Sequence, residues 1–133
     1  MKIGDLEKQS GISAHTLRYY EKSGLLKPSK RGDNNYRHYS NEDLITAKFI
    51  KRSKACGFSL AETSSLLAIK TDKSQHVCAE AKAITHNKLQ EIEEQIQRLE
   101  QMKETLSKLH HYCCGGQESA EFCSIISALE EGE

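Results

Sequence analysis

The sequence contains few or none of several residue types and motifs, and each absence excludes a class of protein. Its 133 residues include no tryptophan and a single proline, and it has no apolar run long enough to cross a bilayer. Its first residues lack the hydrophobic segment of a secretory signal peptide. It also lacks a nucleophile–base triad, a phosphate-binding glycine loop and a catalytic pair of acids. We therefore expect a cytoplasmic protein that is not an enzyme and has no membrane contact.

Acidic residues are scarce in the first half of the chain and basic residues in the second, although the net charge is zero. Residues 1–70 contain 13 Lys and Arg against 7 Asp and Glu, a net charge of +6. Residues 71–133 contain 6 against 12, a net charge of −6. This asymmetry favours a polyanion, such as double-stranded DNA, as the partner of the first half only. The length fits a small domain followed by an oligomerisation arm.

Residues 1–70 are predicted to form a winged helix-turn-helix DNA-binding domain. After a short amphipathic helix and a turn, Ser13 is a good N-cap for a second helix, which Gly24 ends. Two short helices joined in this way are typical of proteins whose second helix enters the major groove. Leu17 and Tyr20 are predicted core residues of that helix. Its predicted contacts with bases and phosphates are Thr16, Arg18 and Tyr19.

Residues 30–39 are predicted to form a small β-wing beside the second helix. Asp33, Asn34 and Asn35 favour a tight turn, and the four residues after them alternate as a strand does. The alternative is a solvated loop. The wing residues predicted to contact DNA are Tyr36, Arg37 and Tyr39.

Two further helices have clear start signals. The segments Ser40–Asp43 and Ser59–Glu62 both have the pattern of a capping box. Between them, Lys51 and Arg52 are predicted to contact DNA phosphates, with a merely solvated basic face as the alternative. Cys56, which lies apart from the other cysteines, is predicted to be a small core residue.

Residues 71–112 are predicted to form a linker and a long dimerisation helix. There is no Gly or Pro between Cys78 and Tyr112, and apolar residues recur at three- and four-residue spacing. A monomer of this size cannot bury such a narrow stripe, so we predict an antiparallel coiled coil in a homodimer. The stripe consists of Leu89, Ile92, Ile96, Leu99, Met102, Leu106 and Leu109.

Residues 113–133 are predicted to form a metal-binding loop and a short helix. Together with the helices predicted before them, this makes the fold class mainly α.

Four of the five cysteines flank the predicted long helix, namely Cys78, Cys113, Cys114 and Cys123. An unbroken helix would separate Cys78 from Cys113 by about 50 Å. An antiparallel partner would instead bring Cys78 of the partner subunit beside the other three, which predicts two symmetry-related metal sites. The alternatives are unrelated thiols, or thiol redox chemistry at the adjacent Cys113 and Cys114.

Three motifs in the first half resemble the signature of the MerR family of winged-helix transcriptional regulators. They are Leu17–Glu21, Asn35–Tyr39 and Cys56–Leu60. The pattern of Cys78, the adjacent pair at 113–114 and Cys123 is similar to the zinc-responsive branch of that family. A cysteine at position 78 resembles the members that sense divalent ions, because an additional thiolate balances the additional charge.

The resemblance implies a homodimeric activator of metal efflux or resistance genes. On binding Zn(II), the dimer would distort promoter DNA so that RNA polymerase finds its two elements aligned. The implied ligands of one zinc are Cys113, Cys123 and Cys78 of the partner subunit, and Cys114 would share that Cys78 thiolate with a second zinc. Glu118 stands where the branch has a histidine, and its carboxylate is a possible replacement ligand. Cadmium(II) and lead(II) are the other candidate ions, and a metal-buffering protein is the remaining alternative function.

Overall fold

The computed structural model describes residues 1–27, 30–31, 37–113 and 115–132, and of residues 30, 31 and 37 it describes the backbone alone. The described chain is mainly helical, as predicted, and divides into two compact units, Met1–Lys88 and Leu89–Glu133. In chain order the elements are α1 (Ile3–Ser10), α2 (Ala14–Lys22), β1 (Lys30–Arg31), β2 (Arg37–His38), α3 (Asn41–Ala55), α4 (Leu60–Thr71), α5 (Cys78–Tyr112) and α6 (Ser124–Glu131), with short 3-10 turns at Lys73–Gln75 and Ala120–Phe122.

The helix-turn-helix is formed by α1 and α2. Gly11 ends α1 with a φ of 74°, a left-handed conformation that favours glycine. Ser13 begins α2, and its hydroxyl accepts the backbone N–H of Thr16 at 3.2 Å. The N-cap predicted from the sequence is thus confirmed, and the cap fixes the point at which the second helix starts.

The wing consists of two short antiparallel strands. Lys30 pairs with His38 and Arg31 with Arg37, so the backbone supports the predicted wing. The tip of the wing, including Tyr36, lies outside the described residues.

Helices α3 and α4 begin at the two capping boxes that the sequence predicts. The Ser40 hydroxyl accepts the N–H of Asp43, and the Asp43 carboxylate accepts the N–H of Ser40. Ser59 and Glu62 make the same reciprocal pair at the start of α4. Each box satisfies two backbone donors that a helix end otherwise leaves without partners.

The core of the first unit lies among α1–α4 and the strand end. The predicted core positions Leu17 and Tyr20 are both buried. The prediction for Cys56 was wrong, because its thiol is exposed where α3 ends. The buried core cluster contains Leu6, Ile12, Leu17, Tyr20, Leu26, Tyr39, Ala47, Ile50 and Leu67.

Helix α5 runs without interruption for 35 residues, which confirms the predicted long helix. The predicted apolar stripe is largely exposed in the single chain, with Leu99 at 61% and Ile96 at 49%.

None of the described helices is long and apolar enough to span a membrane. The first compact unit includes residues 78–88 of α5, so the functional boundary at residue 70 stays a prediction.

Candidate nucleic-acid interface and metal centre

One face of α2 is exposed and basic. Arg18 and Tyr19 lie on it, and Tyr19 is 49% exposed. Thr16 is half-buried, and its Oγ1 accepts the Ser13 hydroxyl at 2.9 Å, so its hydroxyl is partly engaged in capping the helix. Leu17 and Tyr20 face the core. The helix therefore separates a packing face from a face that can contact DNA, as the predicted recognition helix requires.

His15 and Lys22 extend this face beyond the residues predicted from the sequence. Both are exposed, and with Arg18 and Tyr19 they follow the i, i+3, i+4, i+7 spacing of one helical face. That spacing was the available signal, since it can be read from the sequence once α2 is placed. We name the surface formed by these four exposed side chains the recognition face.

Tyr39 was predicted to contact DNA, and the structure contradicts this. Its side chain is 3% exposed and belongs to the core cluster. Its hydroxyl donates to Oε1 of Glu21 at 2.6 Å, and its backbone N–H donates to the carbonyl of Met1 at 2.7 Å. The hydroxyl therefore joins the end of the wing to α2, the backbone joins it to Met1, and the buried ring has no free surface for a base or phosphate.

The other predicted DNA contacts differ in how the structure places them. Arg52 is exposed on α3, where a phosphate can reach it. Lys51 is also exposed, but its Nζ lies 3.3 Å from the carbonyl of Gly11 at the end of α1. A cation there stabilises the negative end of the helix dipole, so Lys51 has a structural partner within the chain. Arg37 is described by its backbone alone, and Tyr36 lies outside the described residues.

Two predicted metal ligands meet in the loop after α5. The Cys113 thiol interacts with the Cys123 thiol, and the Gly115 N–H donates to Cys113 Sγ at 3.4 Å. Cys123 directly precedes α6. The backbone amides of Ile126 and Ile125, followed by the Cys113 thiol, lower the pKa of Cys123. These groups favour the thiolate, which is the form that binds metals.

Glu118 lines the same hollow as the two thiols. This hollow has a volume of about 570 Å³, and its walls include Cys113, Glu118 and Cys123. The Glu118 carboxylate occupies the position that a Cβ on Gly116 would take. The absence of a side chain at residue 116 therefore gives the carboxylate its place in the loop.

The described residues of one chain do not form a complete metal site. Within the described ranges, no three His, Cys, Asp or Glu side chains form a group that could hold a metal ion. Cys78 is exposed at the start of α5, and Cys114 lies outside the described residues. His76 is bonded to Glu80, with 3.0 Å between Nδ1 and Oε2. The described part of one chain thus supplies a pair of thiols and a nearby carboxylate.

Two family models match the chain. Residues 1–69 match the MerR helix-turn-helix family of regulatory proteins, and residues 46–109 match the MerR DNA-binding model. The first covers the helix-turn-helix and wing, and the second covers most of α3, all of α4 and most of α5. The matches therefore include the recognition face and the whole apolar stripe of α5.

Similar proteins align with nearly the whole chain. The transcriptional regulator ZntR of Escherichia coli K12 is 39% identical over 98% of this chain and 93% of its own length. HmrR of Rhizobium leguminosarum is 38% identical over 99% of both. The crystal structure of PbrR691 from Ralstonia metallidurans, in complex with lead(II), has a TM-score of 0.87 at 28% identity and covers 97% of this chain and 98% of that chain. This chain belongs to the MerR family of helix-turn-helix transcriptional regulators.

Proposed function

We propose that this protein is a Zn(II)-responsive transcriptional activator that binds promoter DNA as a homodimer. It acts by distorting the DNA, so its contact with RNA polymerase is indirect and made through the promoter. The genes controlled are those of metal efflux or resistance. The observation that carries the proposal is the meeting of Cys113 and Cys123 beside Glu118 in a chain whose other half is a DNA-binding unit.

DNA binding rests on the recognition face of α2. Its cationic side chains can displace counterions from phosphates, while Arg and Tyr can also reach base edges in the major groove. A single DNA-binding unit makes few such contacts, and a two-fold dimer doubles their number by binding two half-sites. The exposed stripe of α5 supports the dimer, because a second α5 is the partner that would cover an apolar seam with this spacing.

The metal centre is proposed to lie between subunits. Structural zinc takes four ligands, and the described loop supplies two thiols. Helix α5 has 35 residues and a length of about 50 Å, so one ion cannot contact both of its ends. The proposal therefore adds Cys78 of the partner subunit, with Cys114 and the Glu118 carboxylate completing the donors.

The donor set fits a soft divalent ion. Thiolates prefer zinc and its heavier analogues, whereas magnesium and calcium prefer oxygen donors. Several thiolates also need a dication to balance their charge. Lead(II) and cadmium(II) fit the same donors, and PbrR691 was crystallised with lead(II). When bound, the ion would hold the thiolates of the loop together and reduce their mutual repulsion.

Transcription from a promoter carrying the operator tests the proposal. The purified dimer should bind this DNA with and without zinc, and zinc should raise transcript yield severalfold. Magnesium should have no such effect, because the donors are thiolates. A yield that responds to hydrogen peroxide and not to zinc would replace this proposal with a thiol redox regulator, which the contact between Cys113 and Cys123 also permits.

The role of Glu118 has its own measurement. If its carboxylate ligates a second ion, Glu118→Ala should lower the metal content from two ions per site to one, and Glu118→His should restore two. Glu121→Ala is the matched control, because Glu121 is an exposed carboxylate of the neighbouring 3-10 turn. Equal metal content in all three variants would remove Glu118 from the ligand set.

A further inference from the structure

Helix α5 buries one side chain, and that side chain is a lysine. Lys88 is 9% exposed, whereas Leu89 beside it is 59% exposed. Lysine is almost never fully buried without a partner, because an unpaired ammonium loses its hydration without compensation. The position of Lys88 therefore depends on a specific partner in the first unit.

Glu62 of α4 is such a partner. Nζ of Lys88 lies 3.0 Å from Oε1 of Glu62, and the same oxygen accepts the Ser59 N–H at 2.7 Å. One carboxylate oxygen thus connects the capping box of α4 to α5. The Ser59 N–H, and after it Lys88, lower the pKa of Glu62, so the carboxylate is charged at neutral pH.

The protection of this pair from solvent sets it apart from a surface ion pair. The side chains of Lys88 and Glu62 are 11% and 27% exposed. The pair between Lys108 and Glu104 on the same helix has a distance of 3.5 Å and exposures of 67% and 70%. Exposed pairs contribute little, whereas removing one partner of a shielded pair leaves the other poorly compensated. Breaking the Lys88–Glu62 pair is therefore expected to cost more than breaking the exposed pair.

Lys88 also lies at a particular place in the chain. It is the last residue of the first compact unit, and Leu89 begins the second, while α5 continues through both residues. A rotation or shift of α5 that accompanies metal binding can act on the first unit through this stretch of helix. A shielded ion pair between α4 and α5 at that point is a contact that can transmit such a change.

We propose that the Lys88–Glu62 pair is the joint that couples α5 to the DNA-binding unit, and that it positions α4 in response to metal. This inference rests on the proposed metal-responsive function. Neither residue belongs to the proposed metal or DNA contacts. Each acts through the start of α4, so the pair should govern the response to metal and leave metal binding itself unchanged.

Lys88→Met tests the joint, because it keeps the length of the side chain and removes its charge. The induction ratio, which is transcript yield with zinc divided by yield without, should fall about fivefold or more. Metal content should stay at the wild-type value. Glu62→Gln retains an oxygen for the Ser59 N–H and should lower the induction ratio in the same way. If Lys88→Met is unstable, Glu62→Gln alone tests the proposal. Lys88→Arg should preserve induction.

The double variant and a matched control complete the test. Lys88→Met combined with Glu62→Gln should be no worse than either single change, since both remove one interaction. Lys108→Met, in the exposed pair, should leave induction unchanged. Normal induction in Lys88→Met, additive losses in the double variant, or an equal loss in Lys108→Met would each overturn the inference. Absence of zinc induction in the wild type would instead overturn the proposed function.

Discussion

Replacing Tyr39 by phenylalanine separates a core role from a DNA-contact role. The change removes the hydroxyl that donates to Glu21 at 2.6 Å and leaves the buried ring in place. A hydrogen bond to a charged group contributes about 1.5–3 kcal/mol. Because the Glu21 carboxylate is only half-buried, we expect the lower part of this range, a loss of about 1.5–2 kcal/mol in the free energy of unfolding.

Urea unfolding at a fixed protein concentration measures this loss directly. Glu21→Gln provides the other arm of a double-mutant cycle, and the double variant should lose less than the sum of the single losses. The salt dependence of operator binding should be the same for Tyr39→Phe and the wild type. A variant with unchanged stability and weakened operator binding would refute the core assignment and restore Tyr39 as a DNA contact.

Three other changes test separate parts of the structure. Thr63 is fully buried, and its hydroxyl has no hydrogen-bond partner in the described part of the chain, so Thr63→Val should raise the free energy of unfolding by about 1 kcal/mol. Thr85→Val, at an exposed site, should change the free energy of unfolding by less than about 0.5 kcal/mol. A lower free energy of unfolding in Thr63→Val would contradict the prediction for Thr63. Arg18→Ala should weaken operator binding and reduce the slope of log K against log salt by about 1, whereas Arg98→Ala on α5 should do neither; equal slopes would exclude a phosphate contact. Ile96→Asp should convert dimers to monomers in sedimentation, and an unchanged dimer would exclude the α5 seam as the interface.

Local signals in the sequence predicted the helical elements well. The two capping boxes begin α3 and α4, and Ser13 begins α2, because a cap depends on residues within one turn of the helix. Helix α5 was predicted from the absence of Gly and Pro and from the apolar spacing, which are also local signals. These features need no knowledge of how the chain packs.

Features that depend on packing were not predictable in this way. Tyr39 was mistaken for a DNA contact because its burial arises from residues distant in sequence, including Glu21. The exposure of Cys56 depends on where α3 ends relative to the core. Lys88 and Glu62 are separated by 26 residues, and nothing in the local sequence pairs them. The same holds for the metal centre, whose complete ligand set is a proposal about two chains.

Metal titration of a mixed dimer tests the central proposal most directly. Subunits carrying Cys78→Ser and Cys113→Ser are given different tags, and the heterodimer is purified by both. If each site takes Cys78 from one subunit and Cys113, Cys114 and Cys123 from the other, the heterodimer keeps one intact site. It should then bind half the zinc of the wild type with wild-type affinity, while both variant homodimers bind none tightly. A heterodimer that binds no zinc tightly would contradict the shared site, because a site built within one chain is incomplete in both subunits.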